Sequence, residues 1–126
     1  MLQPKIYVKD KKKVYDTQFI DYKHKIVIFF DNETQCTYTR LFDEVEFMEN
    51  TGLKDKHGDY VYVGDILTDE GILGDDSFDY GEVEKDIDEG YYISWRYNEF
   101  CESLYECSAY SVVGNIYENK DLLGVR

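Results

Sequence analysis

No apolar run in these 126 residues approaches the ~18 consecutive apolar residues of a membrane-spanning helix. The first residues also lack the apolar stretch of a secretory signal. Cysteine is scarce: three residues, an odd number, with no Cys-x-x-Cys spacing, the usage of reduced thiols in a cytosol. Only two histidines occur, His24 and His57, both in turn-rich sequence and without a cysteine or second histidine at ligand spacing. Neither a phosphate-cradling glycine loop nor a nucleophile elbow is present. A couple between Cys36 and a histidine stands as the thiol-based alternative. Asp86-Ile-Asp88-Glu-Gly90 begins like a calcium loop, but glycine falls one place early and Tyr97 occupies the twelfth place, where an acid belongs. Carboxylate pairs carry no signal, because 27 acids guarantee accidental ones. These absences set the expectation of a protein that is not an enzyme and takes no cofactor and no metal.

Basic residues are also few, 14 against 27 acids, for a net charge of −13. Such a field repels nucleic acid and anionic membrane and favours basic partners. It is unevenly spread. Residues 1–25 hold seven lysines against three aspartates, a net of +4, so the remaining 101 residues carry −17. Between residues 65 and 89 stand eleven acids and one base, Lys85. Apolar residues, at 43%, suffice for a core, and 13 of the 21 aromatic rings are tyrosines.

Segments rich in β-branched and aromatic residues recur about every ten positions between Asp, Asn, Gly and His turns, which predicts a mainly β chain. Lys5–Val8 and Lys13–Tyr15 form a first expected hairpin, and Gln18–Tyr22 and Lys25–Phe30 a second. Ile26–Phe30 is apolar on both faces and is expected centrally in its sheet. Extended segments follow at Gln35–Phe42, Glu44–Glu49, Tyr60–Val63 and Ile66–Thr68, with 69–81 as an exposed loop. Glu82–Lys85 and Tyr91–Tyr97 read as a further hairpin, and Ser111–Glu118 as a last extended segment. Phe100, Cys101, Leu104 and Tyr105 make a helical stripe, so Glu99–Cys107 is expected to be a helix capped by Asn98. A last helical turn is expected at Lys120–Leu123, closed by Gly124.

Two stretches carry a resemblance. Thr51-Gly-Leu-Lys-Asp-Lys-His-Gly, followed by Tyr62-Val-Gly-Asp-Ile66, resembles a segment of YopX-like proteins that usually reads Tyr-Thr-Gly-Leu-Lys-Asp-Lys-Asn-Gly and then Tyr-Glu-Gly-Asp-Ile. Val112-Val-Gly-Asn-Ile-Tyr-Glu-Asn119, with Leu122-Leu123, is similar to that family's closing segment. Gly81-Glu-Val83 and Tyr92-Ile-Ser-Trp95 fit its central hairpin. Lys120 replaces a usual proline, Asn50 a usual tyrosine and Val63 a usual acid. The resemblance implies a phage or prophage protein with an SH3-type barrel, and it implies no activity. The expected architecture is an SH3-like barrel over 50–126, an N-terminal antiparallel β meander over 1–49, and one or two short helices.

The expected function is non-catalytic: a phage accessory protein in the host cytoplasm that binds a basic host or rival-element protein. Its expected partner surface comprises Asp69, Glu70, Asp75, Asp76, Asp79, Asp86, Asp88 and Glu89, with Phe78, Tyr80 and Tyr92 as aromatic anchors. Carboxylates on a rigid scaffold can stand in for phosphates there. Two alternatives stay open. One is nucleic-acid binding through Lys9–Lys13 beside Tyr7 and Tyr15, which the overall charge opposes. The other is a homo-oligomeric structural module.

Overall fold

In the computed structural model the described residues are 2–69, 79–96 and 99–124. The chain divides into two compact units, Met1–Glu49 and Asn50–Arg126.

The first unit contains strands β1 (Lys5–Val8), β2 (Lys13–Asp16), β3 (Phe19–Asp21), β4 (Ile26–Asp31), β5 (Cys36–Leu41) and β6 (Val45–Met48). They form two antiparallel three-stranded sheets, ordered β2-β1-β6 and β3-β4-β5. Ile6 and Val8 from β1, Val27 and Phe29 from β4, and Val45 from β6 meet in one buried cluster, so the sheets face each other across it. As expected from its sequence, β4 lies centrally in its sheet, with Val27, Phe29 and Asp31 facing inward. Ion pairs close the rim. Arg40 grips Asp10 through two bonds of 3.0 and 2.9 Å while its guanidinium carbon sits 5.4 Å from the Tyr38 ring centre. Lys13 pairs with Glu33, and Lys11 reaches the buried Asp31 at 3.3 Å. Burial would raise the Asp31 carboxyl, but the Glu33 N–H, the Lys11 ammonium and the Tyr15 hydroxyl outweigh it and hold the group below its usual range.

The second unit contains β7 (Asn50–Lys54), β8 (Tyr60–Tyr62), β9 (Asp65–Thr68), β10 (Tyr80–Asp86), β11 (Gly90–Trp95), β12 (Cys101–Ser103) and β13 (Ser111–Asn115). β7 and β8 form a ribbon, and the other five make an antiparallel sheet ordered β12-β11-β10-β9-β13. β9 is paired on both sides and is buried at every position. Val61, Leu67, Val83, Ile93, Trp95, Leu104 and Cys107 form the core. The barrel expected over 50–126 is not closed among the described residues: β12 and β13 remain the two edges of an open sheet. The β13 side is covered by a loop instead, since Lys56 N–H bonds the Tyr110 carbonyl and the Asp55 carboxylate accepts the Val112 N–H.

The helix expected at Glu99–Cys107 is replaced by β12 and a 3-10 helix over Leu104–Ala109. Glu99 has φ of 54°, outside helical geometry, and the Phe100 carbonyl accepts the Trp95 N–H, drawing the chain into the sheet. Leu104 and Cys107, three apart, are buried, whereas Phe100, Cys101 and Tyr105 are exposed. The apolar stripe thus reflects alternation followed by one tight turn. Asn98, the expected cap, lies outside the described residues. A second 3-10 helix covers Lys120–Leu123 and ends at Gly124, as the sequence indicated.

Candidate functional site

The β10–β11 hairpin turns at Asp86–Gly90, the stretch that begins like a calcium loop. Asp86 Oδ1 accepts the N–H groups of Asp88 and Glu89 at 2.8 and 3.1 Å, so that carboxylate holds the turn. Beside the turn runs the edge strand β12, paired to β11 as Tyr92 opposite Ser103 and Ile93 opposite Glu102. Between them lies a groove of about 370 Å³ lined by Asp86, Glu89, Tyr91, Tyr92, Cys101, Glu102 and Ser103. Three acidic residues and two tyrosines line it, with Glu102 on the sheet face of its partner Ile93 and Tyr92 on the opposite face with Ser103, and no lysine or arginine lines the groove among the described residues.

Glu102 is held by two hydrogen bonds. Its Oε1 accepts the Trp95 indole N–H and the Tyr110 hydroxyl, both at 2.7 Å. Two neutral donors on one oxygen fix the carboxylate without cancelling its charge, and Glu102 has no ion pair among the described residues. Burial, then the bond to Glu102, pushes the Tyr110 phenol well above its usual range, so it remains a donor. Burial and the neighbouring Glu84 likewise raise Tyr92. The Lys85 ammonium lies 5.6 Å from the Tyr91 ring centre, so this ring already accepts a cation within its own hairpin. A fixed carboxylate beside aromatic faces can receive an ammonium or guanidinium group.

The expected surface residues do not share one place. Asp86, Glu89 and Tyr92 line the groove, with Asp88 exposed in the adjoining turn. Asp69, Asp79 and Tyr80 stand at the other end of β10, about 20 Å away at ~3.3 Å per residue. Asp79 is 5% exposed, against the expectation of a presented carboxylate, and its Oδ1 accepts the Tyr80 N–H. Glu70, Asp75, Asp76 and Phe78 lie outside the described residues. Glu102 and Ser103 escaped the sequence reading because a helix there would turn Glu102 to solvent. The signal available was Cys101-Glu-Ser103, which alternates as a strand does.

A second hollow of about 500 Å³ lies between Ser94, Arg96, Phe100, Cys101, Lys120 and Leu123. Its Arg96 is bonded to Glu82 at 2.8 Å.

Among known proteins, the sequence profile of the YopX protein family matches residues 3–124. The chain belongs to the YopX family. No curated protein matches it. Among solved structures, it resembles the crystal structure of protein EF1440 from Enterococcus faecalis, with a TM-score of 0.61, 22% identity and 96% of each chain covered. That likeness concerns the fold.

The two main YopX motifs occupy the scaffold, whereas Tyr92 of the matching central hairpin lines the groove. Gly64 takes φ of 99°, a conformation that a β-carbon would strain, and its N–H and C=O bond Val83 and Ile116. The next residue, Asp65, is buried and accepts the Tyr62 N–H at 2.8 Å. In the closing motif Asn115 Oδ1 accepts the N–H groups of Tyr117 and Glu118, and Asn119 Oδ1 returns to the Asn115 N–H. Asn119 packs so closely on Gly114 that no β-carbon fits there. His57, where the family usually has asparagine, sits 3.0 Å from the hydroxyl of buried Ser111 through Nε2. Among the described residues no helix is long and apolar enough to cross a membrane.

Proposed function

We propose that this YopX-family chain is a non-catalytic accessory protein of phage or bacterial origin that binds a basic protein. A lysine or arginine side chain of the partner enters the groove between the Asp86–Gly90 turn and β12. The observation that carries this reading is Glu102, a carboxylate fixed by Trp95 and Tyr110 in the lining of a groove whose other charged residues, Asp86 and Glu89, are acidic. Tyr91 and Tyr92 supply the aromatic area that interfaces favour. The field of the second unit steers such a partner: residues 50–126 hold 18 acids and six bases, a net of −12.

Nucleic-acid binding through Lys9–Lys13 has less support. Lys9 pairs with Glu46, Lys11 with Asp31 and Lys13 with Glu33, so these ammonium groups are already engaged within their own unit. Calorimetric titration with an arginine- and lysine-rich decapeptide tests the proposal. Binding is expected at low salt, weakening as salt rises, and at least tenfold weaker in Glu89→Lys and Tyr92→Ala. No binding at low salt, or equal binding by both variants, overturns it.

A further inference from the structure

We infer that the hollow beside β11 and β12 binds a small ligand carrying one carboxylate on a flat apolar body. The sheet register brings the site together. Glu82 stands opposite Ser94, and Ser94 opposite Cys101, so the three lie abreast on one face. Arg96 follows Ser94 by two residues and extends that face, because its N–H continues the ladder to the Tyr80 carbonyl. Val83, Ile93 and Trp95 alternate with these residues and fill the core, which leaves this face on the other side of the sheet. The Lys120–Leu123 helix packs against β10 and shares the lining with Ser94, Arg96 and Cys101. The resulting hollow, about 500 Å³, falls within the range of small-molecule sites. It stands apart from the cation groove, whose Glu102 lies on the face of Ile93.

Charge and shape name the ligand. Arg96 and Lys120 line the hollow, with Glu99 as the one acid in the lining among the described residues. Arg96 Nη2 donates to Glu82 Oε1 at 2.8 Å, and Glu82 is the more buried partner, its side chain 18% exposed against 41% for Arg96. Among the described residues this is the one side-chain bond of Arg96. One edge of the guanidinium is thereby positioned, and the rest of its planar fork can meet a carboxylate through two parallel bonds. Burial and the neighbouring Glu84 raise the Glu82 carboxyl, and Arg96 and Lys120 oppose them, so both cations stand near it. Lys120 itself is exposed. Phe100 is 48% exposed and Leu123 borders the hollow from the helix, which gives a flat apolar body a ring to stack on. With Glu99 in the lining and Glu82 on Arg96, a single negative charge fits, whereas the second charge of a phosphate monoester meets carboxylates.

Titration of the full chain with 3-phenylpropionate tests this, followed by amide NMR shifts and by the fluorescence of Trp95, which lines the hollow and is the one tryptophan. Saturable changes are expected at Ser94–Arg96, Phe100, Cys101 and Lys120, with Kd on the order of 1 mM and weakening as salt rises. The uncharged 3-phenylpropanamide and the dianion phenyl phosphate should each bind roughly tenfold more weakly. Lys120→Gln, at an exposed position, weakens binding about fivefold. Arg96→Lys, which keeps a charge beside Glu82 and loses the fork, weakens it about tenfold. Lys54→Gln, at an exposed base of the same unit, leaves it unchanged. N-acetyl-glycyl-glycyl-phenylalanine separates two sources of the carboxylate: tighter binding than 3-phenylpropionate assigns it to a protein C-terminus, weaker binding to a free molecule. No saturable change up to about 10 mM, equal or tighter binding of the amide or the phosphate, or unchanged binding in both Arg96→Lys and Lys120→Gln overturns the inference.

Discussion

Replacing Asp55 by alanine should destabilise the second unit more than its place in a turn indicates. Asp55 is 5% exposed, and its Oδ1 accepts the N–H groups of His57 and Asp59 at 3.0 Å each. Its Oδ2 accepts the Val112 N–H at 3.0 Å, tying the Lys54–Tyr60 turn to the edge strand β13. A hydrogen bond to a charged group contributes about 1.5–3 kcal/mol, and a donor left buried costs its desolvation. His57 and Asp59 are exposed, so water replaces the carboxylate there; the half-buried Val112 N–H has no such substitute. The expected loss is about 3 kcal/mol, which lowers Tm by about 10 °C in a chain this size. Asp55→Asn keeps one carbonyl oxygen for the turn and should lose about half as much. Trp95, the one tryptophan, lies in the core of the second unit, so its fluorescence in urea follows that unit directly. A loss in Asp55→Ala below about 1 kcal/mol, within surface-substitution scatter, would refute the clamp.

Gly114→Ala forces a β-carbon to within 2.8 Å of the Asn119 β-carbon. It should cost about 2 kcal/mol by overpacking, read from the urea midpoint. Tyr110 holds its proton in the folded state where the unfolded chain, with an ordinary value near 10.0, has released it. Its contribution is therefore intact at neutral pH and is lost as pH rises past about 10, and Tyr110→Phe should flatten that alkaline decline in Tm. Asp31 has the opposite sign. Its lowered value stabilises the first unit above the ordinary 3.8 and is lost as pH falls below it, so Asp31→Asn should reduce stability at pH 7 and blunt the acid transition.

The strands were legible because alternation survives in short segments. Lys5–Val8 buries every second residue, and Ile26–Phe30, apolar on both faces in the sequence, lies centrally in its sheet as expected. Gly64 and Gly114 stand in the two stretches that carry the family resemblance, but their partners, Ile116 and Asn119, come into view only through tertiary contacts. Cys101–Ser103 was misread because three residues carry too little alternation to compete with a stripe extending from Phe100 to Tyr105. That error hid Glu102, the centre of the groove. Charge counting found Asp86, Asp88 and Glu89, but it could not show that Asp79 turns inward, because burial of an acid depends on donors such as the Tyr80 N–H.

The central claim is that a cationic side chain binds beside Glu102, and amide and indole NMR shifts on titration with N-acetyl-arginine amide test it most directly. The account predicts saturable shifts confined to Glu89–Tyr92, Cys101–Ser103 and the Trp95 indole N–H, strongly reduced in Glu102→Gln. Shifts spread evenly over the acidic surface, or unchanged in Glu102→Gln, would contradict it.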